Sequence, residues 1–131
     1  MKDVKIETEL EVLTPNEPGI FGRVLGTLAN AGVNLRALCV TTRPNEGRFL
    51  LLTSDNKKAE TALRTLGYKV KSRSVVTVEI SERIGAGAEV GALLGNAVID
   101  VETVYCSSTG KNPSLLVFQT NANKKAYETL R

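Results

Sequence analysis

The 131-residue chain is 42% hydrophobic and 24% charged, with a formal net charge of +3 and a pI near 9.0. That is a globular composition, enough for one ordinary domain or two small ones. The mild basicity is too small to imply nucleic acid, and the short apolar runs and the start Met1-Lys2-Asp3-Val4-Lys5-Ile6 give neither a membrane span nor a signal peptide. The cytoplasm is the expected location. There is no histidine, which removes the commonest general base and zinc ligand. Cys39 and Cys106 form no CxxC, which argues against a metal or redox motif. Both cysteines read as small buried hydrophobes.

Val4, Ile6, Leu10 and Val12 alternate with Lys5, Glu7, Glu9 and Glu11, the pattern of a half-buried strand with one charged face. The loop Thr14-Pro15-Asn16-Glu17-Pro18 follows. Ile20, Phe21, Val24, Leu25, Leu28 and Ala31 then share one helical stripe, which predicts a helix over 19–31 ended by Gly32. Residues 33–42 read as a strand, Pro44-Asn45-Glu46-Gly47 as a turn, and 48–53 as the second strand of a hairpin. Asp55 or Asn56 can cap a second helix carrying Ala59, Ala62, Leu63 and Leu66, stopped by Gly67. Tyr68, Val70 and Ser72 alternate with Lys69, Lys71 and Arg73 in a closing strand. The order is β-α-β-β-α-β, the split βαβ arrangement. Right-handed crossovers put both helices on one face of an antiparallel sheet of strand order 4-1-3-2.

The pattern then restarts. Val76, Val78 and Ile80 begin a new strand. A loop over 81–85, a helix over 86–97, a strand over 98–106, the turn Thr109-Gly110-Lys111-Asn112-Pro113, a strand over 115–120 and a helix over 123–130 follow. An offset of 66 pairs Val12 with Val78, Gly19 with Gly85, Val24 with Val90, Leu28 with Leu94, Asn30 with Asn96 and Ala31 with Ala97. Past the hairpin turn the offset is 67, pairing Thr53 with Thr120 and Asn56-Lys57-Lys58-Ala59 with Asn123-Lys124-Lys125-Ala126. The fold class is therefore α+β, with two copies over 1–73 and 75–131. The second copy has no counterpart of residues 68–73, so it lacks its last strand. Its first strand is expected to present an open edge, to be covered by another chain or by further residues. Such edges, and copies of about 60 residues that are marginal alone, point to a homo-oligomer, a dimer or larger.

The chemistry concentrates on the first helix start. Pro18 suits a loop entering a helix, and Gly19 leaves room for another group beside the first turn. The unpaired amides and the helix dipole make Gly19-Ile20-Phe21 a place for a small carboxylate; a helix start with no ligand is the alternative reading. Gly85-Ala86-Gly87-Ala88-Glu89-Val90 imitates a dinucleotide fingerprint, but its sixth position is Val90 and the repeat places a split βαβ unit there. Lys57-Lys58 and Lys124-Lys125 read as solvated faces.

Asn16-Glu17-Pro18-Gly19, an aliphatic helix, Ala31-Gly32-Val33-Asn34-Leu35 and a turn-linked apolar strand, in a chain that repeats itself, resemble tandem ACT domains. These are small regulatory modules that bind amino acids. The layout is most similar to free-standing two-copy members with no catalytic domain. The resemblance implies two ferredoxin-like units, no catalysis and no cofactor. It also implies an amino acid held between the helix-start loop of one copy and the second-strand start of a neighbouring copy. Carried over by position, Asn16 and Asn34 supply side-chain donors and acceptors for both ends of the ligand. Gly19 gives close backbone approach, Ile20 a helix-start amide, and Leu35 adjoins Asn34. The Thr14 hydroxyl is a further candidate, although it could equally cap the loop.

In the second copy Asn16 aligns with Glu82, Pro18 with Ile84 and Asn34 with Asp100. Two carboxylates there would repel a ligand carboxylate, so one ligand per chain, or a purely structural second copy, is expected. The implied role is a regulator or sensor with a possible target enzyme. One alternative is a ligand-free structural or regulatory subunit of an enzyme of amino-acid metabolism. Another is an RNA-binding module of the same topology, for which the central strands offer only Phe49. Neither nucleic acid nor membrane is an expected partner.

Overall fold

The computed structural model describes residues 2–81, 83–108, 110–111 and 113–131. Glu82, the counterpart of Asn16, and Thr109 and Asn112 of the expected second hairpin turn lie outside them. Six strands and four helices follow one another as β1 (Lys2–Thr14), α1 (Ile20–Asn30), β2 (Leu35–Arg43), β3 (Glu46–Thr53), α2 (Asn56–Thr65), β4 (Lys69–Ile80), α3 (Ala86–Asn96), β5 (Val101–Ser107), β6 (Ser114–Thr120) and α4 (Asn123–Leu130). No helix among the described residues is long and apolar enough to cross a membrane.

The chain forms two compact units, Thr8–Arg73 and Met1–Glu7 with Ser74–Arg131. Within the first, the strands lie in the order β2-β3-β1-β4 and are joined by α1 and α2. Its core gathers Leu10 and Val12 of β1, Val24 and Leu28 of α1, Phe49 and Leu51 of β3, and Ala59 and Leu63 of α2. Asp55 caps α2, its side chain accepting from the Lys58 amide at 3.1 Å.

The second unit answers the question of the missing strand. β4 is one unbroken strand of 12 residues, where the sequence pattern suggested one strand ending at 73 and another starting near 76. Its later part pairs with β6, and β6 with β5. On the other side of that part lies β1, of which residues 2–7 cluster with this unit. The chain's own N-terminal segment thus occupies the place of the absent last strand, and the open edge expected there does not exist. Val4 packs on the core of Val76, Val78, Val90, Leu94, Phe118, Ala126 and Leu130.

The repeat is visible bond by bond. Leu10 stands opposite Leu51 and Val12 opposite Phe49 in one unit; Val76 stands opposite Phe118 and Val78 opposite Leu116 in the other. Asn56 Nδ2 donates to the Thr8 carbonyl at 2.9 Å, and Asn123 Nδ2 to the Ser74 carbonyl at 2.8 Å. The outer strands even share an irregularity, a register shift at Arg36 in β2 and at Glu102 in β5.

Two expectations are corrected. The strand read from residue 98 starts at Val101, because Val98 closes α3 instead. The Val98 amide donates to Gly95 O and the Ile99 amide to Leu94 O, as Gly32 does to Ala29 and Val33 to Leu28 at the end of α1. This closure needs a left-handed residue; Gly32 has φ 75° and Val98 φ 58°. Nor is the charged face of β1 simply solvated. Glu9 is 0% exposed, with Oε1 3.4 Å from Arg73 Nε. Glu11 lies 2.6 Å from Arg48 Nε and 3.3 Å from Arg73. Burial pushes the Glu11 carboxyl upward, but the hydrogen bonds and charges of Arg48 and Arg73 outweigh it and hold the group below the ordinary carboxylate value.

Candidate functional site

The loop between β1 and α1 is exposed from Pro15 to Gly19 and fastened at three points. Buried Thr14 donates its hydroxyl to the Pro15 carbonyl at 3.1 Å. Gly47 sits against that hydroxyl so closely that a Cβ on it would lie 2.5 Å from Oγ1. Thr14 therefore shapes the turn from beneath. Asn16 Nδ2 donates to the Arg43 carbonyl at 3.1 Å, tying the loop to the far end of β2. Glu17 pairs with Arg23 of the first helical turn at 2.9 Å.

Gly19 is the helix N-cap at φ 87°, ψ −6°, in the left-handed region. Within the chain, space for a Cβ is open there, so the backbone conformation is what demands glycine. A glycine cap brings no side chain to the helix start. The Ile20 amide is taken by the Glu17 carbonyl at 3.2 Å, and the Ile20 side chain is buried. The amides of Phe21 and Gly22 are then the helix-start donors that receive no side-chain cap.

Asn34 is exposed and clamped through its backbone. Its amide donates to Ser54 Oγ and its carbonyl accepts from the Ser54 amide, both at 2.9 Å. Leu35 is half-buried against the core. Asn16 and Asn34 flank opposite ends of the nine-residue β2, a span of roughly 27 Å at strand rise. One copy alone does not bring them together.

The second unit repeats this frame with other chemistry. Gly85 caps α3 at φ 89°, and the Ala86 amide donates to the Arg83 carbonyl. Asp100 is clamped to Asn121 as Asn34 is to Ser54. The ion pair recurs with its signs exchanged, Arg83 before the helix and Glu89 in its first turn. Ile84, at the place of Pro18, is fully exposed. The exchanged pair went unremarked in the sequence, although the offset of 66 that pairs Gly19 with Gly85 also pairs Glu17 with Arg83 and Arg23 with Glu89.

Near the first loop, a cleft of about 330 Å³ opens between Thr14-Pro15, Asn45-Glu46 and Gly67-Tyr68-Lys69. A depression of about 480 Å³ beside Lys57, Lys58 and Thr61 touches none of the expected site residues. Phe49, the central-strand aromatic that base stacking would require, is 0% exposed and faces the core.

Two α+β units on one hydrogen-bonding plan, each opening its first helix with a left-handed glycine after an exposed loop, define a tandem of ferredoxin-like modules. Residues 8–68, most of the first copy, match the model of the ACT domain, and the second copy repeats the fold of the first. The chain is similar to the crystal structure of protein BT0572 from Bacteroides thetaiotaomicron, with 26% identity and a TM-score of 0.89 over 97% of this chain and 88% of that one. It shares its fold with the ligand-free regulatory subunit of aspartate kinase from Thermus thermophilus, at 15% identity and a TM-score of 0.69 over 97% and 94%. It does so too with the aspartokinase alpha and beta subunits, at 15% identity and a TM-score of 0.61 over 97% and 93%. The search of curated proteins found no significant match.

Proposed function

We propose that the chain is a non-catalytic regulatory or sensor protein that binds a small amino acid at the start of α1, in a site completed by another copy. The observation that carries this reading is the contrast between the two helix starts. α1 offers uncapped amides with Arg23 in its first turn, whereas α3 places Glu89 there. Each ion pair is neutral as a whole, but the charge standing on the helix is the cation at the first start and the carboxylate at the second, so a ligand carboxylate is better received at the first. Asn16 spends its Nδ2 on Arg43, which leaves Oδ1 to accept from the ligand ammonium.

The separation of Asn16 from Asn34 supports completion by a neighbour. An outer strand of another copy laid antiparallel along β2 would bring its own start, the position of Asn34 and Leu35, to the Asn16 loop. Binding and assembly are then linked, and a ligand that favours one assembly changes what a target enzyme meets. The aspartate kinase regulatory subunits of like fold fit such a role. The burial of Phe49 speaks against the RNA-binding alternative.

Thermal melting with each of the twenty amino acids tests the reading. One of them is expected to raise the midpoint of the wild type by several degrees, since a hundredfold excess over Kd adds about 2.7 kcal/mol. Asn16→Ala should lose most of that response and Asn34→Ala part of it. If no amino acid shifts the midpoint at millimolar concentration, the binding role is wrong and a ligand-free subunit is the better description.

A further inference from the structure

We propose that the cleft beneath the β1–α1 loop of the first unit binds a small organic carboxylate that carries no ammonium group, a ligand separate from the amino acid at the start of α1. The cleft encloses about 330 Å³ and lies wholly within the unit Thr8–Arg73. That is enough for a short carbon body. It needs no second copy to be complete.

Its walls are fastened by the chain itself. On one side the Thr14 hydroxyl donates to the Pro15 carbonyl at 3.1 Å, with Gly47 packed against it. On another, Gly67 at φ 88° closes α2, its amide donating to Arg64 O at 2.9 Å. Arg64 Nη2 then donates to the Val70 carbonyl at 2.7 Å, so Tyr68 and Lys69 are held between two bonds. On the third, Glu46 stands 3.5 Å from Arg43 across the hairpin turn. Small-molecule sites are usually preformed in this way.

The lining selects the class of ligand. Leu13, Pro15 and Tyr68 supply apolar surface. Lys69 is exposed and has no ion pair among the described residues. Glu46, the only acidic residue of the lining, is already paired with Arg43. The uncompensated charge is therefore positive. Asn45, exposed in the hairpin turn, adds amide donors. A carboxylate gains a charge-assisted contact from Lys69 while its carbon body lies along the apolar wall. An ammonium meets a cation and no free acid. The Tyr68 hydroxyl, and after it the Glu17 carboxylate, hold the Arg23 guanidinium above its ordinary pKa, so one wall of the cleft reaches the first turn of α1. An occupant therefore also bears on the amino-acid site. That consequence rests on the reading above; the cleft site does not.

Amide chemical shifts of the isotope-labelled full chain, followed by NMR through a titration, test the site. Isovalerate and phenylacetate should each shift the amides of Leu13, Tyr68 and Lys69, with a Kd of about 1 mM or below. Lys69→Glu should weaken this binding about tenfold or more. Lys71→Glu, the same charge change at the next exposed lysine of β4, should leave it unchanged. Both are surface positions, and circular dichroism and melting confirm that both variants fold. The proposal is overturned if neither acid shifts these amides at about 20 mM, or if Lys69→Glu binds as the wild type does. Isoamylamine that shifts them as strongly overturns it as well. So does inorganic phosphate acting equally, since the apolar wall then plays no part. If no amino acid shifts melting but the isovalerate response and its loss in Lys69→Glu remain, the reading of the α1 start falls and the cleft site stands.

Discussion

The two units answer different demands on one frame. Both fasten the centre of their first strand with an asparagine from the start of a helix, Asn56 to Thr8 and Asn123 to Ser74. Both open their first helix with a left-handed glycine and close it with the same pair of backbone bonds. Around that frame the charges differ. The first unit holds Arg48, Arg73, Glu9 and Glu11 in contact on its strands. At the positions of Arg48, Glu9 and Glu11 the second has Leu115, Val75 and Thr77, with Thr77 donating to Glu7 at 2.6 Å. The helix-start ion pair is reversed. Backbone hydrogen bonds and apolar spacing therefore set the architecture, while side-chain charge is free to differ between the copies.

The sharpest break in this comparison is the ion cluster. Arg73→Leu removes the cation beside fully buried Glu9 and should destabilise the first unit by on the order of 3 kcal/mol in urea unfolding. Thr77→Val, in the second unit, deletes only a hydrogen bond to Glu7 and should cost about 1 kcal/mol. Equal losses would mean that the cluster is no different in kind from the polar contact.

The glycine caps come next. Gly19→Ala and Gly85→Ala should each cost about 1–2 kcal/mol, the penalty for a side chain in the left-handed region, and by similar amounts because neither site is crowded. Only Gly19→Ala should also blunt an amino-acid response.

Val98 offers a smaller change of opposite sign. It is β-branched, left-handed and 84% exposed, so Val98→Gly relieves strain and loses little packing. A gain of about 0.5–1 kcal/mol is expected, with a loss for Gly32→Val.

The smallest effect is on pH dependence. Because the folded carboxyl of Glu11 is held below its ordinary value, its contribution is full at neutral pH. That contribution fades as pH falls from the ordinary carboxylate range through the lowered folded value. Glu11→Gln should flatten the acid limb of stability below the ordinary carboxylate range and leave its shape near pH 7 unchanged.

Much of the architecture was legible in residue spacing. The offsets of 66 and 67 reappear as strand register, and Asp55 caps where a helix start was expected. The missed features have physical reasons. Nothing between Lys69 and Ile80 breaks a strand, but the repeat places a boundary there that the continuous β4 does not have. That residues 2–7 fill the second unit's place beside β4 is a pairing distant in sequence, on which local periodicity is silent. Val98 stands where the first copy has Gly32, and a β-branched residue reads as strand unless the repeat is given more weight than propensity. At the site, Asn16 and Asn34 follow from position in the resemblance alone. Their separation along β2 follows from topology, and the commitment of the Ile20 amide to Glu17 from a turn geometry that no single residue signals.

The most direct test is the number of ligands each chain binds. Isothermal titration with the amino acid that stabilises the wild type should give one site per chain, strongly weakened by Asn16→Ala. Two equivalent sites per chain, or binding that survives Asn16→Ala unchanged, would contradict the claim that the first helix start alone is built for the ligand.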